Sequence, residues 1–406
     1  MDGLQKLSLA AEQTLFEGRE DEADRLTKSS PAACGYTPAE IRRRFGKGQR
    51  SHQVQVGSRA IPIFMAAAPG GRRVPLVKAM LTTACERDCN YCPFRAGRDA
   101  HRVTFKPDEL ARLFDAIHRA GRADGLFLST GIFAGGANTQ NKLLDTAEVL
   151  RLKLGYRGYL HLKIMPGAEK GQVLRSMQLA DRVSINLEAP NQARLARLAP
   201  NKHFEVELLA PLRWVEEIRR SLPPQQGWAG RWPSSTTQFV VGAAGESDLD
   251  LLSTVGRLTR SLGLARAYFE AFHPVPGTPL ENHPAEDPLR QHRLYQASFL
   301  LRDYGFDLED FPFSQDGRLP LERDPKLAYA MAELSENPVE MNQADQRELL
   351  RVPGIGPRSA RAILRARRTG GITGLGDLTT LGVVAERAAP YILIAGRRPI
   401  RQMRLF

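Results

Sequence analysis

The chain has 406 residues, 42% of them hydrophobic and 25% charged. At roughly 100 to 200 residues per domain, that length argues for two or three domains, and the composition excludes collagen-like, mostly disordered and disulfide-stapled classes. The formal charge of +12 favours polyanionic partners and is unevenly placed: residues 341–406 carry twelve arginines against four carboxylates, while residues 1–30 carry seven carboxylates against four basic groups. Such an acidic opening, with no long apolar stretch behind Met1, does not read as a secretory signal. The longest near-apolar run, Ala60 to Pro69, falls far short of the roughly 18 residues a bilayer needs, so no membrane partner is expected. Four cysteines, three of them within eight positions, make no disulfide framework and fit a reducing cytoplasm.

In chain order, residues 1–30 read as an exposed helix and residues 29–61 as an irregular basic stretch containing Cys34, together an N-terminal extension over 1–73. From Pro75 short apolar runs alternate with helical segments. Strands are expected near 76–82, 125–130, 158–165, 182–188, 236–242 and 266–272. Helices are expected at 107–120, 140–154, 204–221 and 247–262. This succession predicts an α/β fold, a partial (βα)6 TIM-like barrel over 74–310. Residues 311–336, rich in Pro, Asp and Glu, read as a linker. Residues 337–406 read as a small all-α domain, with Leu349, Leu350, Ile363 and Leu364 as its apolar face and a Gly- and Pro-rich turn at 352–357 between two helices.

Cys85, Cys89 and Cys92 follow the first expected strand, at the end of a βα barrel where active sites collect. Three thiolates at this spacing, with no fourth cysteine nearby, can hold three corners of an iron-sulfur cube and leave one iron open. A zinc site is the plainer alternative, with Cys34, His52 or His101 as its fourth ligand. Strand alternation adds a polar set: Tyr159, His161 and Lys163 alternate with Leu160, Leu162 and Ile164, and Ser184, Asn186 and Glu188 with Val183, Ile185 and Leu187. Surrounding helices claim the apolar face, which drives the polar set into the lumen together with Gln238 and Glu270. Burial of Lys163 and Glu188 there is tolerable only if they meet each other, a ligand or water. Lys163, Ser184, Asn186, Glu188 and Gln238 are therefore candidates to hold a ligand, or else satisfy one another.

The C-x3-C-x2-C spacing, with Tyr91 before the last cysteine, resembles the signature of the radical S-adenosylmethionine superfamily. The resemblance implies that Cys85, Cys89 and Cys92 ligate a [4Fe-4S] cluster whose open iron takes S-adenosyl-L-methionine. It implies reductive cleavage of that sulfonium to a 5′-deoxyadenosyl radical, fed by an electron donor such as flavodoxin or ferredoxin. Tyr91 would lie beside the adenine or the cluster. Ser129, Thr130 and Gly131 stand where relatives carry a Gly-rich motif for the methionine amino group, although the usual Gly-Gly-Glu is missing. Gly242, with Glu246, is like a fifth-strand motif flanking adenine, and Pro276 and Gly277 resemble a Pro-Gly-Thr-Pro loop that closes over the adenosine.

Residues 350–360 resemble a helix-hairpin-helix motif, a nucleic-acid module that does not read sequence. Gly354 and Gly356 would let backbone approach a phosphate, with N–H groups of Gly356, Arg358 and Ser359 as donors. Arg358, Arg361, Arg365 and Arg368 recur at three- and four-residue steps and would line one helix face. A solvated arginine surface, with the hairpin mediating protein association, is the alternative. The segment 378–383 takes the place of a second hairpin without its paired glycines and reads as packing.

With the stretches 126–132, 161–167 and 292–297, most of the chain resembles the DNA modification or repair radical S-adenosylmethionine proteins, often encoded beside a uracil-DNA-glycosylase-like protein. That resemblance makes such a glycosylase-like protein an expected partner. The expected activity is radical modification or repair of a nucleotide in DNA that is single-stranded, damaged or flipped. An RNA- or tRNA-modifying enzyme is the alternative, and a non-catalytic DNA-binding iron-sulfur redox sensor the second. Cys34 would be a radical relay or hydrogen donor, or else an inert buried thiol.

Overall fold

The computed structural model describes residues 1–13, 52–56, 59–67 and 73–399, so Cys34 lies outside the described residues. These fall into two compact units, one drawn from 1–13, 52–246 and 257–287, the other from 247–256 and 288–399.

The first unit is built on eight strands whose spatial order is their chain order. They are β1 (His52–Val56), β2 (Arg59–Ala67), β3 (Arg73–Met80), β4 (Gly125–Ser129), β5 (Tyr159–Lys163), β6 (Arg182–Ser184), β7 (Ser234–Val241) and β8 (Arg266–Ala271). Strands β3 to β8 are parallel, the six that the alternating runs predict. Each parallel step needs a crossover. The first is α1 of the barrel proper, Pro107–Arg119, which has Pro at its first position, Asp108 and Glu109 in its first turn and His118 and Arg119 in its last. Those charges oppose the helix dipole at both ends, and Leu110, Ala111, Phe114 and Ile117 form its buried face.

Two expectations for the N-terminal extension are corrected. Residues 52–56 and 59–67 are not irregular: β2 adds to the sheet antiparallel to β3, and β1 antiparallel to β2. Pro62 argues against a strand on sequence grounds, but the ladder between β2 and β3 begins at Ile63, so its missing N–H is not called upon there. The opening helix, Gly3–Gln13, is not exposed all round, because Leu7 and Ala10 are buried. Two predicted helices also carry wider π turns, at Val149–Lys153 and Phe204–Leu209. The first turns Arg151 inward, where it donates to the carbonyls of Leu179, Tyr156 and Gly158 and pairs with Asp181 at 2.9 Å.

In the second unit the helix Pro288–Asp303 is buried along residues 289–300, Arg290 included, which pairs with Asp248 at 2.7 Å. The expected linker at 311–336 instead contributes buried residues, among them Phe311, Leu319, Lys326 and Ala330. Asp324 within it accepts a bond from Arg387, and Asp310 just before it takes a two-pronged pair from Arg351. The expected apolar face holds, with Leu349, Leu350 and Ile363 buried and Leu364 packed beside them. The unit is not all-α, because Val339–Glu340 and Ile392–Leu393 pair as short parallel strands.

His292 is buried on the helix Pro288–Asp303, and burial followed by the charge of Arg293 lowers its pKa to about 3. A depressed histidine contributes stability that is complete above its unfolded value and is lost as pH falls toward the folded one. Thermal or urea unfolding is expected to show stability dropping below about pH 6.5, with a slope near 1.4 kcal/mol per pH unit for this one group. In His292→Gln that component of the slope should vanish.

Candidate active site

The segment 81–98 leaves the end of β3 and is held by neighbours on every side. Glu86 N–H donates to the Ile132 carbonyl, Asn90 N–H to that of Leu198, and Leu280 N–H to that of Asn90. Arg87 bonds the Asn201 carbonyl and pairs with Glu207, each at 2.6 Å. Arg98 Nε donates to the Pro276 carbonyl at 2.9 Å. The loops after β4, β6 and β8 thus fix the cysteine loop from three directions.

Below it lies a cavity of about 1150 Å³, its solvent-filled mouth included, lined by Cys85, Cys89 and Cys92. All three are free thiols, Cys89 buried and the others half-buried. Main-chain N–H groups point at two sulfurs, Ile132 at Cys85 Sγ and Phe94 at Cys92 Sγ, both at 3.4 Å. Burial pushes the Cys89 thiol up, with the Lys202 ammonium acting in the other direction.

The polar strand face meets the same cavity. Ser129, Thr130, Gly131, Lys163, Asn186, Glu188, Gln238 and Glu270 all line it, as does Tyr91, while Leu160, Leu162, Val183, Ile185 and Leu187 are buried away from it; Ile164, just past the end of β5, is buried and lines it too. Burial and then the Glu188 carboxylate hold the Tyr91 phenol well above its ordinary range. Glu188 itself has φ of 64°, a left-handed conformation that is uncommon for a side chain of this size and a mark of functional sites.

Other expected contacts lie elsewhere. Ser184, the last residue of β6, is buried but does not line the cavity, which is met by Asn186 and Glu188 beyond the end of that strand. Gly242 spends its N–H on the Glu246 carboxylate, and Gly277 spends its own on Glu281. Pro276 accepts from Arg98, so this loop meets the cysteine loop, and its neighbours His273 and Val275 reach the cavity in its place. Gly131 is required by packing: a Cβ there would lie 2.2 Å from the Ala84 carbonyl oxygen and 3.2 Å from Cys85 Cβ.

Lys202 was not legible in the sequence. It follows the helix Gln192–Leu198, has no periodic signal, and is buried in the cavity wall with Nζ 3.2 Å from Glu188 Oε1. Burial works against its charge, yet the Cys89 sulfur and the Glu188 carboxylate hold its pKa above the ordinary lysine value.

A cubane asks each thiolate to reach its own iron, whereas a single ion asks for convergence. Among the described residues no three His, Cys, Asp or Glu side chains are grouped to hold one metal ion. His101 is exposed and absent from the cavity lining. Three free thiols spread over one wall, N–H groups aimed at two sulfurs and a roomy polar cavity beneath fit a cluster with a ligand beside it.

The family model described as the Radical SAM superfamily matches residues 80–222, the stretch that carries this loop. Over that stretch the chain is similar to the Radical SAM superfamily. Proteins of this superfamily bind a [4Fe-4S] cluster and S-adenosylmethionine. A tRNA-2-methylthio-N(6)-dimethylallyladenosine synthase of Lachnoclostridium phytofermentans is 22% identical over 211 residues, 50% of this chain and 43% of its own length. The chain therefore spans less than half of that curated relative. Among solved structures, methylornithine synthase (PylB) has a TM-score of 0.45 at 14% identity, over 74% of this chain and 76% of that one. The FeFe-hydrogenase maturase HydG of Carboxydothermus hydrogenoformans has a TM-score of 0.45 at 15% identity, over 56% and 51%.

In the second unit, helices Gln346–Arg351 and Pro357–Ala366 flank the turn at 352–356. Gly354 has φ of 85°, and a Cβ there would lie 2.5 Å from the Val384 carbonyl oxygen, so glycine serves the turn and its packing. Gly356 is the N-cap of the second helix. Arg358, Arg361, Arg365 and Arg368 are all exposed, and among the described residues none has a carboxylate partner. Arg347, Arg351 and Arg387, by contrast, pair with Asp307, Asp310 and Asp324. The Ser359 hydroxyl donates to the Gly382 carbonyl at 2.7 Å, which leaves only its N–H, with that of Arg358, at the open head of the helix.

Gly131→Ala should push the Ala84 carbonyl and Cys85 out of place. Iron and sulfide content after anaerobic reconstitution is expected to fall several-fold while far-ultraviolet circular dichroism is retained. Full cluster content in that variant would show that the close approach to Ala84 does not position the loop.

Proposed function

We propose that the chain is a radical S-adenosylmethionine enzyme that modifies or repairs a nucleotide carried by a nucleic acid, with DNA as the first candidate polymer. The observation that carries the chemistry is the cavity itself, walled on one side by Cys85, Cys89 and Cys92 and on the other by the polar strand face. When bound, the cluster and S-adenosylmethionine supply a 5′-deoxyadenosyl radical for hydrogen abstraction.

This chain's own residues hold and enclose. Cys85, Cys89 and Cys92 ligate the cluster. Ser129, Thr130, Lys163, Asn186 and Gln238 offer donors and acceptors to the polar parts of the cofactor, and Tyr91 covers it from the cysteine loop. The apolar wall of Met80, Phe94, Ile132 and Val275 keeps water from the reacting centre.

The polymer is read from the second unit. Three exposed arginines without carboxylate partners among the described residues, Arg358, Arg361 and Arg365, on one face of a ten-residue helix whose head presents open N–H groups, with Arg368 exposed just past its end, suit a phosphate backbone rather than base edges. The likeness to a helix-hairpin-helix module supports that reading. RNA is the second reading, favoured by the printed activity of the curated relative, which acts on tRNA. The electron would come from a low-potential carrier such as flavodoxin or ferredoxin, and a uracil-DNA-glycosylase-like protein remains a proposed partner.

Cys89→Ala is expected to abolish formation of 5′-deoxyadenosine from S-adenosylmethionine under reduction, measured by liquid chromatography. Replacing Arg358, Arg361 and Arg365 together by Ala should leave uncoupled cleavage intact, weaken binding to duplex DNA and lower the slope of log K against log salt by roughly 2 to 3. Matched DNA and RNA oligonucleotides in that salt series decide the polymer. Unchanged binding in the triple variant would overturn the assignment of this face.

A further inference from the structure

We propose that Lys202 and Glu188 together set the reduction potential of the cluster held by Cys85, Cys89 and Cys92, Lys202 raising it and Glu188 lowering it. The inference rests on the cluster reading above and deepens it.

Two of the three sulfurs receive a main-chain N–H, Cys85 from Ile132 and Cys92 from Phe94. Among the described residues no N–H group reaches the Cys89 sulfur. An ammonium lines the same cavity, that of Lys202, held 3.2 Å from the Glu188 carboxylate that lines it too. There the ammonium favours the Cys89 thiolate and the thiolate favours the ammonium. The Glu188 and Asp88 carboxylates and the Cys85 sulfur act on Cys89 in the opposite direction to Lys202.

The ammonium cannot swing away. The segment before it is fastened to the cysteine loop on both sides of Cys89. Asn201 Nδ2 donates to Asp88 Oδ2 at 2.7 Å and its carbonyl accepts from Arg87, while Asn90 N–H donates to Leu198 and Asn90 Nδ2 to the Arg197 carbonyl at 2.8 Å. Glu188 is equally fixed. Its N–H donates to Gln238, its carbonyl accepts from Val240, and its side chain holds Lys202 at 3.2 Å.

Reduction adds one electron, from an external low-potential one-electron donor, to a cluster that already carries three thiolates. No bond breaks and no proton moves. The added negative charge is felt strongly in a buried site of low effective dielectric. A fixed cation favours the reduced state and a fixed anion disfavours it, the lever by which charge beside an iron-sulfur cluster tunes its potential. A pair that merely filled the wall would have no such sign.

The test is an anaerobic redox titration of the reconstituted full chain, without S-adenosylmethionine, followed by electron paramagnetic resonance. Lys202→Met is expected to lower the reduction equilibrium constant tenfold or more, 59 mV for one electron. Glu188→Gln should raise it, the double variant should return close to the wild-type value, and Lys202→Arg should stay there. Two single variants that keep their iron and leave the potential unmoved, or move it in the same direction, would overturn the proposal. If Lys202→Met loses its cluster, the sign of the shift in Glu188→Gln decides. A wild-type chain that yields no [4Fe-4S] signal instead overturns the cluster reading, and the proposal with it.

Discussion

A loop that presents three thiols must be stiff without being covered, because its inner side belongs to the ligands. Here the stiffness comes from outside. Main-chain and side-chain hydrogen bonds from the loops after three other strands grip residues 86, 87, 90 and 98, while the sulfurs are left facing the cavity. Even the glycine at 131 serves this end, since its missing side chain admits the Ala84 carbonyl. Each bond is worth only about 1 kcal/mol net, but together they hold a segment with no regular secondary structure of its own.

The same barrel decides what lies beneath. Alternation along parallel strands sends every second side chain inward, and helices outside claim the rest. A lumen so built must contain polar groups, and the cost of burying them is offset where they pair. Lys202 with Glu188 is the clearest case, and breaking such a buried pair from one side costs about 3–5 kcal/mol. Glu188 also spends backbone strain to aim its carboxylate, a further sign that its direction matters.

The second unit sorts its arginines by partner. Sequence alone shows a run of like charge, and each arginine in it looks equivalent. In the structure Arg347, Arg351 and Arg387 neutralise Asp307, Asp310 and Asp324, the last of them in what looked like a linker, and Arg367 donates to the Ala344 carbonyl. Arg351, Arg367 and Arg387 are half-buried, and Arg347, though exposed, is paired. The face of the helix Pro357–Ala366, by contrast, keeps Arg358, Arg361 and Arg365 exposed and without a carboxylate partner among the described residues.

The amino-acid order by itself determined the six parallel strands, the inward polar set on β5 and β6, the cysteine loop at the end of the first of those strands and the two-helix turn near the C-terminus. All of these are local patterns, of period two, of spacing, or of Gly and Pro at a turn. It did not reveal the antiparallel strands β1 and β2, whose pattern is broken by Pro62, nor that Ser184, Gly242, Pro276 and Gly277 miss the cavity. It gave no hint of Lys202. Only the tertiary structure decided those, because a side chain from an irregular segment reaches a site through contacts between distant parts of the chain, and no period within its own neighbourhood records them.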